Sequence, residues 1–240
     1  MIRNRYTIIG ILVSASLMTS VITPGNAEAG DQIDIPEYTI GDYWVYNSTM
    51  INNISGELRY EVNDIKEVKD FWNTTHNCYQ INTSMEFTLE QDNKLVEGII
   101  KGEIYERTAD LFAVEEIIEA NVSIVEDDYL ESSYQYNYFQ YPGPPTIFPL
   151  ILGNEYDVSY NLTHTVIVTE DGEERIMLFE ESALRNFSVS ISDTFHTITT
   201  HAGTFECVEI TEFEEIDYIN ITTVRYYSPD VGRDVKREMI

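Results

Sequence analysis

Cysteine, histidine and basic side chains are all scarce in this chain of 240 residues, which has two cysteines, four histidines and 14 Lys plus Arg. Two cysteines and four scattered histidines do not supply the ligand spacing of a zinc or other transition-metal centre, so no metal is expected. There is no Gly-x-Ser-x-Gly elbow, no phosphate loop and no helical pair of ligand histidines, so neither an enzyme nor a cofactor is expected. Against the 14 basic residues stand 42 acidic ones, giving a net charge of −28. That balance excludes the basic patches on which nucleic-acid and anionic-membrane binding rely. Four of the basic residues, Arg225, Arg233, Lys236 and Arg237, crowd into the stretch RYYSPDVGRDVKRE near the end.

The one long apolar run, Ile8 to Ile22, follows Arg3 and Arg5 and precedes Pro24, Gly25 and the small-residue pattern Ala27-Glu28-Ala29. It reads as an export signal, with cleavage after Ala29 expected and Ala27 as the second choice. An uncleaved anchor is the alternative. Against it, Ser14, Ser16, Thr19 and Ser20 dilute a run already shorter than the roughly 20 residues a membrane span needs. The expected organisation is a signal at 1–29 and one domain at 30–240, in an extracytoplasmic or cell-surface location.

The acceptor motif Asn-x-Ser/Thr occurs eight times, at Asn47, Asn53, Asn73, Asn82, Asn121, Asn161, Asn186 and Asn220. Chance gives about two or three such matches in a chain of this composition. An N-glycosylated exported protein, archaeal in type, is the reading. In an oxidising compartment Cys78 and Cys207 are expected to pair, closing a long loop worth roughly 5 kcal/mol. The alternative is two buried free thiols.

Alternation of apolar and polar residues dominates the rest. Tyr156, Val158, Tyr160, Leu162, Val166 and Val168 alternate with polar residues, as do Phe187, Val189 and Ile191, and period two over such lengths is strand with one buried face. Further strands are expected near 42–49, 57–68, 78–90, 95–108, 111–125, 204–213 and 217–227, and Asp171-Gly172 marks a hairpin before RIMLF. Asn82, Asn121, Asn161, Asn186 and Asn220 are out of phase with their apolar neighbours, which predicts a single antiparallel sheet with a sugar-bearing outer face. Between Asp127 and Pro149 the tyrosine-rich, then proline-rich segment is expected to leave the sheet as a crossover against its inner face. A weak repeat relates IGDYWVYN (40–47) to LGNEYDVSYN (152–161) and NCYQINTS (77–84) to ECVEITEF (206–213), marking halves at 38–125 and 150–240.

Ala202-Gly203-Thr204-Phe205, followed by Tyr227-Ser228-Pro229-Asp230 and by Val235-Lys236, resembles the ending of uncharacterised exported proteins related to the LolA and LolB lipoprotein carriers, and GDYWVY resembles their first strand. The resemblance implies a strongly curved antiparallel sheet, an open half-barrel whose concave apolar face receives lipid. It implies a lipid-like ligand against Tyr156, Val158, Tyr160, Leu162, Phe187, Val189 and Ile191, under a segment contributing Tyr138, Phe139, Tyr141 and Phe148. The alternative is a structural or adhesive envelope glycoprotein whose inner face is filled by its own chain. Pro229, Asp230 and Gly232 are expected to turn the chain, and the neighbouring arginines to pair with Glu212, Glu214 or Glu215.

Overall fold

In the computed structural model the alternation becomes strand almost throughout. The described residues are 21–23, 32–49, 55–70, 73–91, 94–111, 113–126, 129–141, 148–170, 179–216 and 219–240. They form β1 (Val21–Thr23), β2 (Gln32–Ile33), β3 (Tyr43–Thr49), β4 (Ser55–Lys69), β5 (Thr75–Gln91), β6 (Lys94–Arg107) and β7 (Ala113–Glu126). The series continues with β8 (Tyr129–Tyr141), β9 (Leu150–Ile151), β10 (Glu155–Glu170), β11 (Phe179–Thr200), β12 (Gly203–Ile216), β13 (Ile219–Ser228) and β14 (Arg233–Met239). No helix occurs among these residues.

One antiparallel sheet runs in the order β14-β13-β12-β11-β10-β8-β7-β6-β5-β4-β3, with β1 beside β10 and a separate ladder of β2 with β9. The strands expected from alternation are all present. The Asp171-Gly172 turn and most of RIMLF lie outside the described residues. The row has β3 and β14 at its two edges, and by the alternation of antiparallel neighbours these edges run in the same direction.

The expected crossover is the main correction. Tyr129–Tyr141 is not outside the sheet but is β8, paired with β7 on one side and with β10 on the other. Tyr134, Tyr136 and Tyr138 alternate with Gln135 and Asn137, and aromatic residues favour strand. Prolines limit a strand only where they stand, and the first, Pro142, follows the last paired residue. Residues 142–147 lie outside the described residues.

Two apolar clusters occupy the inner face. Leu150, Tyr156, Val189, Ile191, Val208, Ile210 and Tyr227 form one, and Tyr38, Val62, Tyr79, Ile81, Ile104, Leu111 and Ala113 the other. Phe148 packs against both. Its ring centroid is 5.1 Å from that of Tyr227.

The two halves repeat the same local geometry. Gly41 and Gly153 both have positive φ, 96° and 77°, and open the turns into β3 and β10. The Val62 N–H then donates to Asp42 O, as the Ile191 N–H donates to Asn154 O. Val62 pairs with Ile81 and Ile191 with Ile210, and each ladder shifts register within the next few residues. Further on, the Leu111 N–H donates to Arg107 O and the Gly232 N–H to Ser228 O, in turns where Leu111 and Gly232 have φ of 56° and 72°. A register shift precedes each of these turns, at Tyr105/Glu106 and at Tyr226/Tyr227. β3 to β7 thus correspond to β10 to β14.

Candidate functional site

Paired residues in a ladder, and alternate residues along a strand, share a face. Asn47 pairs with Glu57, Glu57 with Glu86, Glu86 with Ile99 and Ile99 with Asn121. Asn82 lies four residues from Glu86 on the same strand. The row continues from Asn121 through Gln135 to Thr169, in phase with Asn161, which pairs with Leu184, two residues before Asn186. Ser190, in phase with Asn186, pairs with Thr211, and Glu215 pairs with Asn220. Six acceptor positions, one each on β3, β5, β7, β10, β11 and β13, therefore share one face. Asn47, Asn121 and Asn220 are exposed there, and Asn82 is half-buried. Asn73 is exposed in the β4–β5 turn with φ 65°, and Asn53 lies outside the described residues.

The residues expected to hold an apolar ligand divide. Tyr156, Val189 and Ile191 are buried on the inner face, packed with Leu150, and Phe148 joins them. Val158 pairs with Phe187 and Tyr160 with Arg185, so these positions and Leu162 are on the inner face as well. Tyr138, paired with Ile118 and Val166, is also an inner position. Phe139 and Tyr141, one residue out of phase with it, occupy positions on the sequon face, a correction that follows from their belonging to a regular strand.

The inner face is also more polar than alternation alone indicates. Glu106, Glu116, Glu212 and Glu214 are all buried. Arg225 donates to Glu212 Oε1 at 2.7 Å and to Asp234 Oδ2 at 2.8 Å. Arg233 bridges to both oxygens of Glu106, at 3.2 and 3.4 Å. Its guanidinium carbon stands 5.0 Å from the Tyr38 ring centre, 4.8 Å from Trp44 and 5.7 Å from Tyr60. Burial works against the charge of Arg225, but Asp234 and Glu212 outweigh it and hold the group protonated. Arg225 and Arg233 therefore neutralise carboxylates inside the fold: Glu212, as expected, together with Asp234 and Glu106. Nothing in the sequence marked Glu106, since it lies 127 residues from Arg233.

Among the described residues Glu116 has no comparable partner: its Oε2 is buried without a hydrogen bond. Burial pushes its carboxyl up to about 8, Glu106 adds to the rise and Arg237 opposes it. Burial also pushes the Glu106 carboxyl upward, with Arg233 opposing.

The expected disulfide is not formed. Cys78 and Cys207 are buried free thiols that occupy equivalent places on β5 and β12, with β6, β7, β8, β10 and β11 between them in the sheet. Their Sγ–H groups donate to His76 O and Phe205 O, and burial pushes both thiols up to about 11. No three His, Cys, Asp or Glu side chains among the described residues come together to hold a metal ion.

A cleft of about 370 Å³ opens where the lead-in to β3 meets the β13–β14 turn, between Pro36, Tyr38, Tyr43 and Trp44 on one side and Pro229 to Gly232 on the other. The Tyr38 hydroxyl donates to Gly232 O at 3.0 Å across it. No protein-family model, curated protein or solved structure matches this chain.

Proposed function

We propose that the chain is an exported, N-glycosylated, non-enzymatic envelope or secreted protein, structural or adhesive in role, whose sheet carries sugars on one face and packs its own chain on the other. The observation that carries this reading is the common face of Asn47, Asn82, Asn121, Asn161, Asn186 and Asn220. A sugar-bearing asparagine must reach water, and chance placement in strands would spread six positions over both faces. The apolar run with its Ala27-Glu28-Ala29 ending supplies the route of export. Cleavage there also removes β1 from the edge of β10 at Asp157–Ser159.

The half-barrel curvature belongs to the same reading. β14 and β6 are seven steps apart along the sheet, which at about 4.8 Å per strand is roughly 34 Å if flat. The contact of Arg233 with Glu106 supports a sheet that bends enough to bring β14 against β6. For the lipid-carrier reading, Tyr156, Val189, Ile191 and Phe148 would have to line a void. Their packing against Leu150, Val208 and Ile210 favours a filled interior instead.

Native mass spectrometry of protein from its own source, followed by organic extraction, separates the two. The filled interior expects a mass explained by polypeptide and glycan alone. A stoichiometric lipid in the extract would return the carrier reading to first place.

A further inference from the structure

The repeated geometry of the two halves makes each seam between them comparable with the other. Counting from Gly41 and Gly153, Pro36 corresponds to Phe148 and Trp44 to Tyr156, and the matched turns put Gly232 in the place of Leu111. At one seam Leu111 is 2% exposed, inside the cluster that also receives Phe148. At the other the same two places hold Gly232 and Pro36, and the cleft of about 370 Å³ is there. A Cβ on Gly232 would come within 3.1 Å of Pro36 Cβ and 3.6 Å of Tyr38 Cε1. The bulky pair Leu111 and Phe148 of one seam is thus replaced at the other by Gly232 packed closely against Pro36, with the cleft beside that contact.

The lining determines what fits. Tyr38, Tyr43 and Trp44 provide rings, and Glu37, Asp42 and Asp230 provide carboxylates, with no Lys or Arg among the lining residues. The rings already accept guanidinium groups from outside the cleft: Arg233 against Tyr38 and Trp44, and Arg59 at 4.6 Å from the Tyr43 ring centre. Those two cations are neutralised by Glu106 and Glu61. The charge left facing the cleft is thus negative, beside aromatic surface. We propose that the cleft binds an organic cation, a guanidinium or alkylammonium group, free or borne on a side chain of a basic partner. The cation would sit between carboxylates and ring faces, an arrangement in which electrostatic attraction to the ring quadrupole adds to ion pairing.

The test is calorimetric titration of the full glycosylated protein with N-acetyl-arginine amide, with its neutral isostere N-acetyl-citrulline amide, and with a Gly-Ser peptide carrying one internal arginine. Saturable binding of the arginine amide is expected, with the citrulline analogue weaker by about tenfold or more. Peptide binding as tight as that of the free amide assigns the site to a partner's side chain. Binding of the amide alone assigns it to a small molecule. The double variant Glu37→Gln/Asp230→Asn, both exposed positions, should weaken binding by about tenfold, and Pro36→Phe should fill the space and abolish it. Glu67→Gln/Glu97→Gln changes the net charge equally at exposed sites elsewhere and should leave affinity unchanged. The proposal is overturned if the citrulline analogue binds as well, if the distant double variant weakens binding as much, or if no saturation is reached.

Discussion

Replacing Glu116 by Gln removes one titrating group from the interior while keeping its shape. The side chain is 7% exposed and its Oε2 has no hydrogen-bond partner among the described residues. A carboxylate there would give up its hydration without compensation, so the neutral form is favoured in the folded state. The folded value of about 8 stands above the ordinary 4.5. Stability from this group is therefore fully present below about pH 4.5 and is lost as the pH rises through about 8. At 1.36 kcal/mol per unit, the loss is about 3 kcal/mol by pH 7 and about 5 kcal/mol well above pH 8. Glu106 moves in the same direction, so the wild-type profile alone does not isolate Glu116. The difference between wild type and Glu116→Gln does. Urea unfolding at half-unit steps from pH 4.5 to 9 should show the variant gaining on wild type steadily up to about pH 8, then holding a constant lead. A difference independent of pH, or one that favours wild type as the pH rises, would refute the assignment of a neutral buried carboxyl.

Other perturbations follow from the same contacts. Arg233→Met leaves Glu106 buried without its counter-ion and should cost about 3–5 kcal/mol in chemical unfolding, while the double variant with Glu106→Gln should recover most of it. Equal losses in the single and double variants would show that the rings around Arg233, not the ion pair, carry its effect. Gly232→Ala should destabilise by about 1–2 kcal/mol, because it combines φ of 72° with a close approach to Pro36, and thermal melting reads this directly. Cys78 and Cys207 should resist alkylation in the native protein and both react after unfolding without reductant; a linked peptide in a non-reducing digest would contradict the free-thiol assignment.

Strands were legible from period-two alternation because a sheet with one buried face writes that pattern into its sequence. The outer face was legible for a related reason, since sequons at Asn82, Asn121, Asn161, Asn186 and Asn220 could be read in phase against their apolar neighbours. The turn at Pro229 to Gly232 announced itself through residues with special backbone freedom, and Gly232 has the left-handed φ expected of it. β8 is obscured in the sequence because the prolines beginning at Pro142 follow directly on its tyrosine alternation and suggest a break in the sheet. The Glu106–Arg233 pair had no local signal at all. Its partners are 127 residues apart on strands that are not neighbours in the sheet, and neither alternation nor turn chemistry encodes such a meeting. The repeat was faint in sequence because its matched positions are backbone turns and register shifts, which Gly41 and Gly153 reveal but Leu111 and Gly232 conceal.

Site-resolved glycopeptide mass spectrometry of the protein isolated from its own source bears most directly on the central claim. An N-terminus at Gly30 is expected, with sugars on asparagines of the shared face and with exposed Asn47, Asn121 and Asn220 modified more completely than half-buried Asn82. A chain that retains residues 1–29 and carries no sugar at any of these six asparagines would contradict it.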